Sequence, residues 1–201
     1  MLQNMFSYRA LIFTLWMAWF AYWVIWAAGT KATRRRESAA SRWSYTLTLL
    51  LGVLLIAWPR LDLGRLSWTL LPDAPWRYLT ALALLVTGLL FTVWARVHLG
   101  GNWSGTVTLK EGHELVRTGP YAYVRHPIYT GLIIALLGSA LACGEPRALI
   151  GLALVIASFV HKLRLEEQFM REVFPGDYER YSAAVPALVP FVPTTRARVP
   201  R

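Results

Sequence analysis

This chain has one cysteine and few acidic residues, and each shortage excludes something. The single Cys143 rules out an internal disulfide framework and any all-cysteine metal site. The four histidines, His98, His113, His126 and His161, show no metal-ligand spacing, so no metal is expected. There is no Gly-rich phosphate loop, nucleophile elbow or Cys–His pair, no internal repeat and no stretch that reads as a soluble domain. Only 11 Asp and Glu stand against 21 Lys and Arg, a formal charge of +10. That excess could suggest nucleic acid. Its placement says otherwise: the cations cluster between apolar runs, as juxtamembrane residues facing anionic lipid do. No nucleic-acid partner is expected.

Apolar surface is what the chain has in abundance. Of 201 residues, 56% are hydrophobic and ten are Trp, with a mean hydropathy of +0.40. The lipid bilayer is the expected surrounding. Five apolar runs stand out: Leu11 to Gly29, Trp43 to Trp58, Trp76 to Val97, Pro127 to Ala142, and Ala148 to Val160. The last continues as a charged helix through Met170, and its apolar part is the shortest of the five. The first run is aromatic-rich and lacks a small-residue cleavage site, which predicts a retained anchor rather than a signal peptide. Sixteen of the 21 basic residues fall in one set of connections and five in the other. This bias puts the N-terminus outside and the C-terminus in the cytoplasm, as an odd number of spans requires. The expected fold is an all-α integral membrane protein of about five transmembrane helices. Residues 1–97 read as support and acceptor tunnel, 98–193 as the working part, and 194–201 as a loose basic tail.

One polar block interrupts this apolar chain. From Gly112 to Gly131 it carries His113, Arg117, Tyr121, Tyr123, Arg125, His126 and Tyr129, ending where the fourth run begins at Pro127. So many hydrogen-bonding groups at a helix mouth in a membrane protein point to a polar ligand. Pro127 suits the first helical position, and His126 before it is pushed toward extended geometry. The short Cys143–Arg147 connection makes the fourth and fifth runs antiparallel neighbours. Glu166 and Glu167 then return to the face that holds Tyr121, Arg125, His126 and Tyr129. Such a site offers carboxylates for hydroxyls or an amine, donors for a carboxylate, and aromatic faces for a cation. Taken singly, each residue also fits an ordinary interfacial role.

Taken together, these residues resemble the isoprenylcysteine carboxyl methyltransferase family, short prokaryotic members included, with phospholipid N-methyltransferases as more distant relatives. The matching segments are Leu99–Ser104, Gly112–Tyr121, Tyr123–Gly131, Glu166–Glu167 and Phe174–Tyr181, followed by Val185–Pro186 and Pro190–Phe191. The resemblance implies an enzyme that uses S-adenosylmethionine and a lipophilic methyl acceptor, with no obligatory protein partner evident. By the same resemblance His113, Leu115 and Val116 would hold the adenine, and Tyr121, Arg125, His126, Pro127 and Tyr129 would line the rest of the cofactor. Glu166 or Glu167 would grip its ribose or amine. Asn102 and Trp103 would face the acceptor, and Arg125, Arg164 and Glu167 would act in catalysis. Lys162 stands where the family often has Arg, with Arg164 nearby, so either cation could orient the acceptor. Pro175 adds a residue to the Phe–Gly element. Two alternatives differ in ligand: a membrane NADPH-dependent sterol or enone reductase, and a phospholipid amine N-methyltransferase. A scaffold or small transporter would bind neither cofactor.

Overall fold

A computed structural model describes residues 2–27, 32–58, 62–110 and 114–192. Helix α1 spans Leu2–Ala27, α2 Ala39–Ala57, α3 Pro75–Leu99, α4 Pro127–Cys143, α5 Pro146–Val173 and α6 Asp177–Ala184. Proline opens α3, α4 and α5, where its missing N–H costs nothing. Ser38 caps α2, its hydroxyl accepting from the Ser41 amide at 3.1 Å. The turn from α4 to α5 needs a left-handed residue, and Gly144 supplies it at φ 70°.

Four helices, within α1, α2, α3 and α5, are long and apolar enough to cross a membrane, while α4 has 17 residues. The fifth apolar run looked short because its charges begin at His161. The helix does not stop there: α5 has 28 residues. At 1.5 Å per residue that is about 42 Å, well beyond a hydrocarbon core of about 30 Å. Its charged last turns therefore project past the apolar layer and carry Glu166 and Glu167 with them. One strand pair adds to the expected all-helical architecture. Strand β1 (Thr33–Arg36) runs antiparallel to β2 (Thr108–Lys110), pairing Arg36 with Thr108 and Thr33 with Lys110.

Small residues let the helices pack. A Cβ on Gly88 of α3 would lie 2.5 Å from the Gly131 carbonyl oxygen of α4, and one on Gly138 would lie 2.5 Å from the Ala81 carbonyl oxygen. Gly52 of α2 and Gly151 of α5 meet in the same way. Lipid supplies no hydrophobic drive between helices, so such close backbone contact is what holds them. Helix α1 packs more loosely, setting Ile12, Leu15, Trp16 and Trp19 on Leu85, Leu89 and Ala135 and stacking Tyr8 on Tyr78. It leans on α3 and α4 through two indole bonds, Trp19 Nε1 to Thr92 Oγ1 at 2.7 Å and Trp16 Nε1 to Ser139 Oγ at 3.0 Å. The gap between α1 and α2 is left open as a cavity.

Candidate functional site

The site is built where α4 begins, α5 ends and the segment after α6 crosses both. His126 has φ −122° and ψ 61°, out of the helical region as its following proline demands. The strand-like segment 185–188 straps this corner: Arg125 N donates to Pro186 O at 2.9 Å and His126 N to Ala187 O at 3.0 Å. Thr130 Oγ1 adds a bond to Leu188 O at 2.7 Å. Tyr181 of α6 donates its hydroxyl to the Tyr121 carbonyl at 2.7 Å, and burial pushes its pKa up to about 12, so it remains a donor. The Val185–Pro186 and Tyr181 signals were present in the sequence, but only the fold shows them bracing the helix mouth.

The two glutamates, adjacent in sequence, have different surroundings. Glu167 is buried against cations: Arg125 Nε and Nη2 donate to its Oε1 at 2.9 and 2.6 Å, and Arg171 approaches Oε2 at 3.1 Å. Glu166 lines the cavity and accepts from the Tyr129 hydroxyl at 2.6 Å. His126 lies between them, Nε2 at 3.2 Å from Glu167 and Nδ1 at 3.5 Å from Glu166. Burial acts to lower the His126 pKa, but its hydrogen bonds to Glu166 and Glu167 outweigh that and hold it above the ordinary 6.5. The His126, Tyr129 and Phe159 rings stack in sequence, with centroids 5.6 and 4.9 Å apart, and form an aromatic wall on the cavity.

Arg125 has little left to offer a ligand. Besides Glu167, its Nη1 donates to Ser182 O and Val185 O at 3.0 and 2.5 Å. A second cation at the polar end of the cavity is Lys162, with Nζ 2.8 Å from Gly105 O and 5.6 Å from the Tyr129 ring centre. Arg164 is exposed and is not part of the cavity wall. Leu115, Val116, Tyr121, Arg125, His126, Pro127, Tyr129 and Glu166 all reach the cavity, as do Asn102 and Trp103. His113 lies outside the described residues, as does the 194–201 tail. The loop carrying residues 103–107 is tied down by Glu37, which sequence inspection passed over. This buried carboxylate accepts from the Val107 amide at 3.1 Å, the Ser41 hydroxyl at 2.8 Å and the Tyr45 hydroxyl.

The cavity encloses about 1700 Å³. It starts among these polar groups and continues between α1, α2 and α4 past Trp19, Trp16, Leu49, Val53 and Leu136. At its far end stand Arg9, Cys143 and Arg147. Along α1 from Trp23 to Arg9 this is about 21 Å. One end is polar and aromatic, and the rest is an apolar slot.

Comparison with known proteins points the same way. The family model described as isoprenylcysteine carboxyl methyltransferase matches residues 81–172. The chain is 34% identical over 117 residues to a protein-S-isoprenylcysteine O-methyltransferase of Schizosaccharomyces pombe, covering 57% of this chain and 50% of that one. The Homo sapiens protein of the same name is 28% identical over 141 residues, 69% of this chain and 50% of its own. The chain thus spans about half the length of these relatives. Among solved structures it is similar to the eukaryotic intramembrane Ras methyltransferase ICMT, at a TM-score of 0.50 and 22% identity over 76% of this chain and 52% of that one, a likeness of fold. Through residues 81–172, which hold α4, Arg125, His126 and both glutamates, this multi-pass membrane protein is similar to the isoprenylcysteine carboxyl methyltransferase family.

Proposed function

We propose that this protein is an S-adenosylmethionine-dependent methyltransferase acting on a lipophilic carboxylate of the prenylcysteine type. The observation that carries this is one continuous cavity, in which a polar pocket lined by Glu166 opens directly into a largely apolar slot about 21 Å long. The polar end fits the cofactor. Glu166 suits a ribose hydroxyl or an amine, the His126–Tyr129–Phe159 wall suits a sulfonium, and Leu115 and Val116 supply backbone groups for a base. The cofactor supplies an activated methyl group for in-line displacement.

The chain's own residues then have three tasks. Arg125, His126 and Glu167 lock the helix mouth, so that the pocket is preformed. The slot takes an apolar chain out of lipid and aims its polar end at the pocket, and this alignment supplies much of the acceleration. Lys162 holds the acceptor carboxylate, which is already ionised and needs no base. Trp23, Trp103 and the slot residues exclude water, which strengthens the attraction between carboxylate and sulfonium. The cation bias supports a pocket that faces the cytoplasm, in a bacterial-type inner membrane or an endoplasmic reticulum membrane, which would carry the same bias.

The test is purified protein in detergent with methyl-labelled S-adenosylmethionine and three acceptors: an S-prenylated cysteine derivative, a phosphatidylethanolamine and a small thiol. Base-labile label on the prenylcysteine is the expected result. Label on the phospholipid amine alone would reassign the acceptor, and binding of NADPH with no S-adenosylhomocysteine binding would overturn the reading.

A further inference from the structure

Arg96, in the last turn of α3, is only 3% exposed. It makes no hydrogen bond to the polar block or to the glutamate pair, although its charge acts on Tyr121. At a membrane face an arginine ordinarily extends its head toward water or lipid phosphate. This one turns inward. Its Nη2 donates to the Trp26 carbonyl at the end of α1 at 2.8 Å, and its Nη1 donates to the Gly100 carbonyl at 2.6 Å. Its guanidinium carbon lies 4.6 Å from the centre of the Trp103 ring. Trp103 in turn meets Trp23 of α1 edge to face, with centroids 5.9 Å apart. The Nε of Arg96 and the Oδ1 of Asn102 are both buried without a hydrogen-bond partner among the described residues.

Burying a guanidinium with carbonyls and an aromatic face as its partners is expensive, and simple fold stability is a poor reason to keep it. Its geometry suggests a better one. The Trp26 carbonyl is among the last four of α1, which no helical amide can satisfy. The Gly100 carbonyl belongs to the turn that presents Asn102 and Trp103. One planar fork therefore spans the end of α1, the end of α3 and the turn after α3, and lysine could not reproduce it. The side chains so carried, Trp23 from α1 and Asn102 and Trp103 from the turn, all line the cavity. Elsewhere helix α1 is held by the two indole bonds from Trp16 and Trp19, by the Tyr8–Tyr78 stack and by apolar packing of Ile12, Leu15, Trp16 and Trp19 on α3 and α4, none of which reaches its last turn. The polar pocket itself is held by α4, α5 and the 185–188 strap, none of which Arg96 hydrogen-bonds.

We propose that Arg96 is a positioning residue for the lipophilic acceptor: it clamps α1 to the 100–103 turn and so sets the spacing of the Trp23 and Trp103 walls where the slot meets the pocket. This rests on the methyltransferase reading for its link to turnover, but not for its geometry, so two measurements are needed. The first is a distance between spin labels at Val24 and Val97, both lipid-exposed, in a Cys143→Ser background. Arg96→Met should broaden the distribution, and Arg96→Lys should restore it in part. The second is steady-state kinetics with an S-prenylated cysteine derivative, beside calorimetry with S-adenosylhomocysteine. Arg96→Met should raise the acceptor KM tenfold or more and leave the S-adenosylhomocysteine Kd within about twofold of the parent. Arg96→Gln, which keeps one donor, serves if Arg96→Met does not fold. An unbroadened distribution overturns the inference. So does an unchanged acceptor KM, or a KM and a Kd that rise together. If the parent methylates no prenylated acceptor, the functional reading falls, and the distance distribution still decides whether Arg96 is a clamp.

Discussion

At the scale of single residues, adjacency in sequence conceals a division of labour. Glu167 neutralises Arg125 in a buried cluster, whereas Glu166 faces the cavity. Removing one partner of a buried pair leaves the other charge uncompensated, so Glu167→Gln should lose about 3 kcal/mol of stability. Glu166→Gln should instead keep its melting temperature within a few degrees and lose about tenfold in S-adenosylhomocysteine affinity, a charged hydrogen bond's worth. Thermal unfolding and calorimetry on the two variants would show whether the roles separate this way. The cations can be separated likewise: Lys162→Met should raise the acceptor KM and Arg164→Ala should not, and the reverse pattern would assign the role to Arg164. His126 has a raised pKa in the folded protein, so its protonated form stabilises the fold. That contribution is fully present below the ordinary pKa of 6.5 and is lost as pH rises through the raised value. The melting temperature of the parent should therefore exceed that of His126→Gln most at pH 5.5 to 6, the gap narrowing as pH climbs. A gap that widens with pH would contradict the sign.

Elements were legible in the sequence to the extent that their physics is local. Proline at the first helical position marked the start of α4 at Pro127, the runs read from Trp76 and Ala148 began one and two residues inside α3 and α5, and His126 took the geometry its proline imposes. The extent of α5 was legible as a charged helix continuing through Met170, three residues short of its end at Val173, although its apolar part alone is short. Beyond Val160 the helix is held by contacts with the strap and the polar corner, which no apolar count registers. Strand β1 was hidden, since Thr33–Arg36 reads as a basic loop and becomes a strand only because Thr108–Lys110 lies beside it. The close approach of α3 and α4 carries its own test. Gly88→Ala puts a methyl 2.5 Å from the Gly131 carbonyl oxygen and should cost about 1–3 kcal/mol. Leu90→Ala, at a position 64% exposed toward lipid, should cost little by comparison. Urea or thermal unfolding in a fixed detergent would rank the two, and equal losses would mean that α3 and α4 can part without penalty.

For the whole molecule the open question is orientation. The ends of α1 and α3 and the starts of α2 and α4 lie on the side of the polar pocket, together with the end of α5. Sixteen of the 21 basic residues fall in the connections on that side. A fluorescent protein fused at the C-terminus should therefore glow in the cytoplasm, while alkaline phosphatase fused at the same place should remain inactive. Active phosphatase there would invert the topology and with it the side from which cofactor arrives.

The amino-acid sequence by itself determined the membrane setting, the start of α4 and the identity of the polar residues, because hydropathy, proline geometry and charge bias act over a few neighbouring positions. It also paired the Arg125 region with the glutamates, since a short turn leaves two helices no other arrangement. What only the tertiary structure decided was orientation of side chains and the space between helices. Which glutamate faces the cavity depends on how α5 is rotated against α4. Arg125 reaches the cavity, but its donors are taken by Glu167 and by a strap sixty residues away in the chain, so Lys162 is the better-placed cation for a ligand at the polar end. The slot itself exists because α1 packs on α3 and α4 and is pinned there by two indole bonds and one arginine, which leaves the space toward α2 open. A void between helices has no residue of its own, and no sequence pattern can announce it.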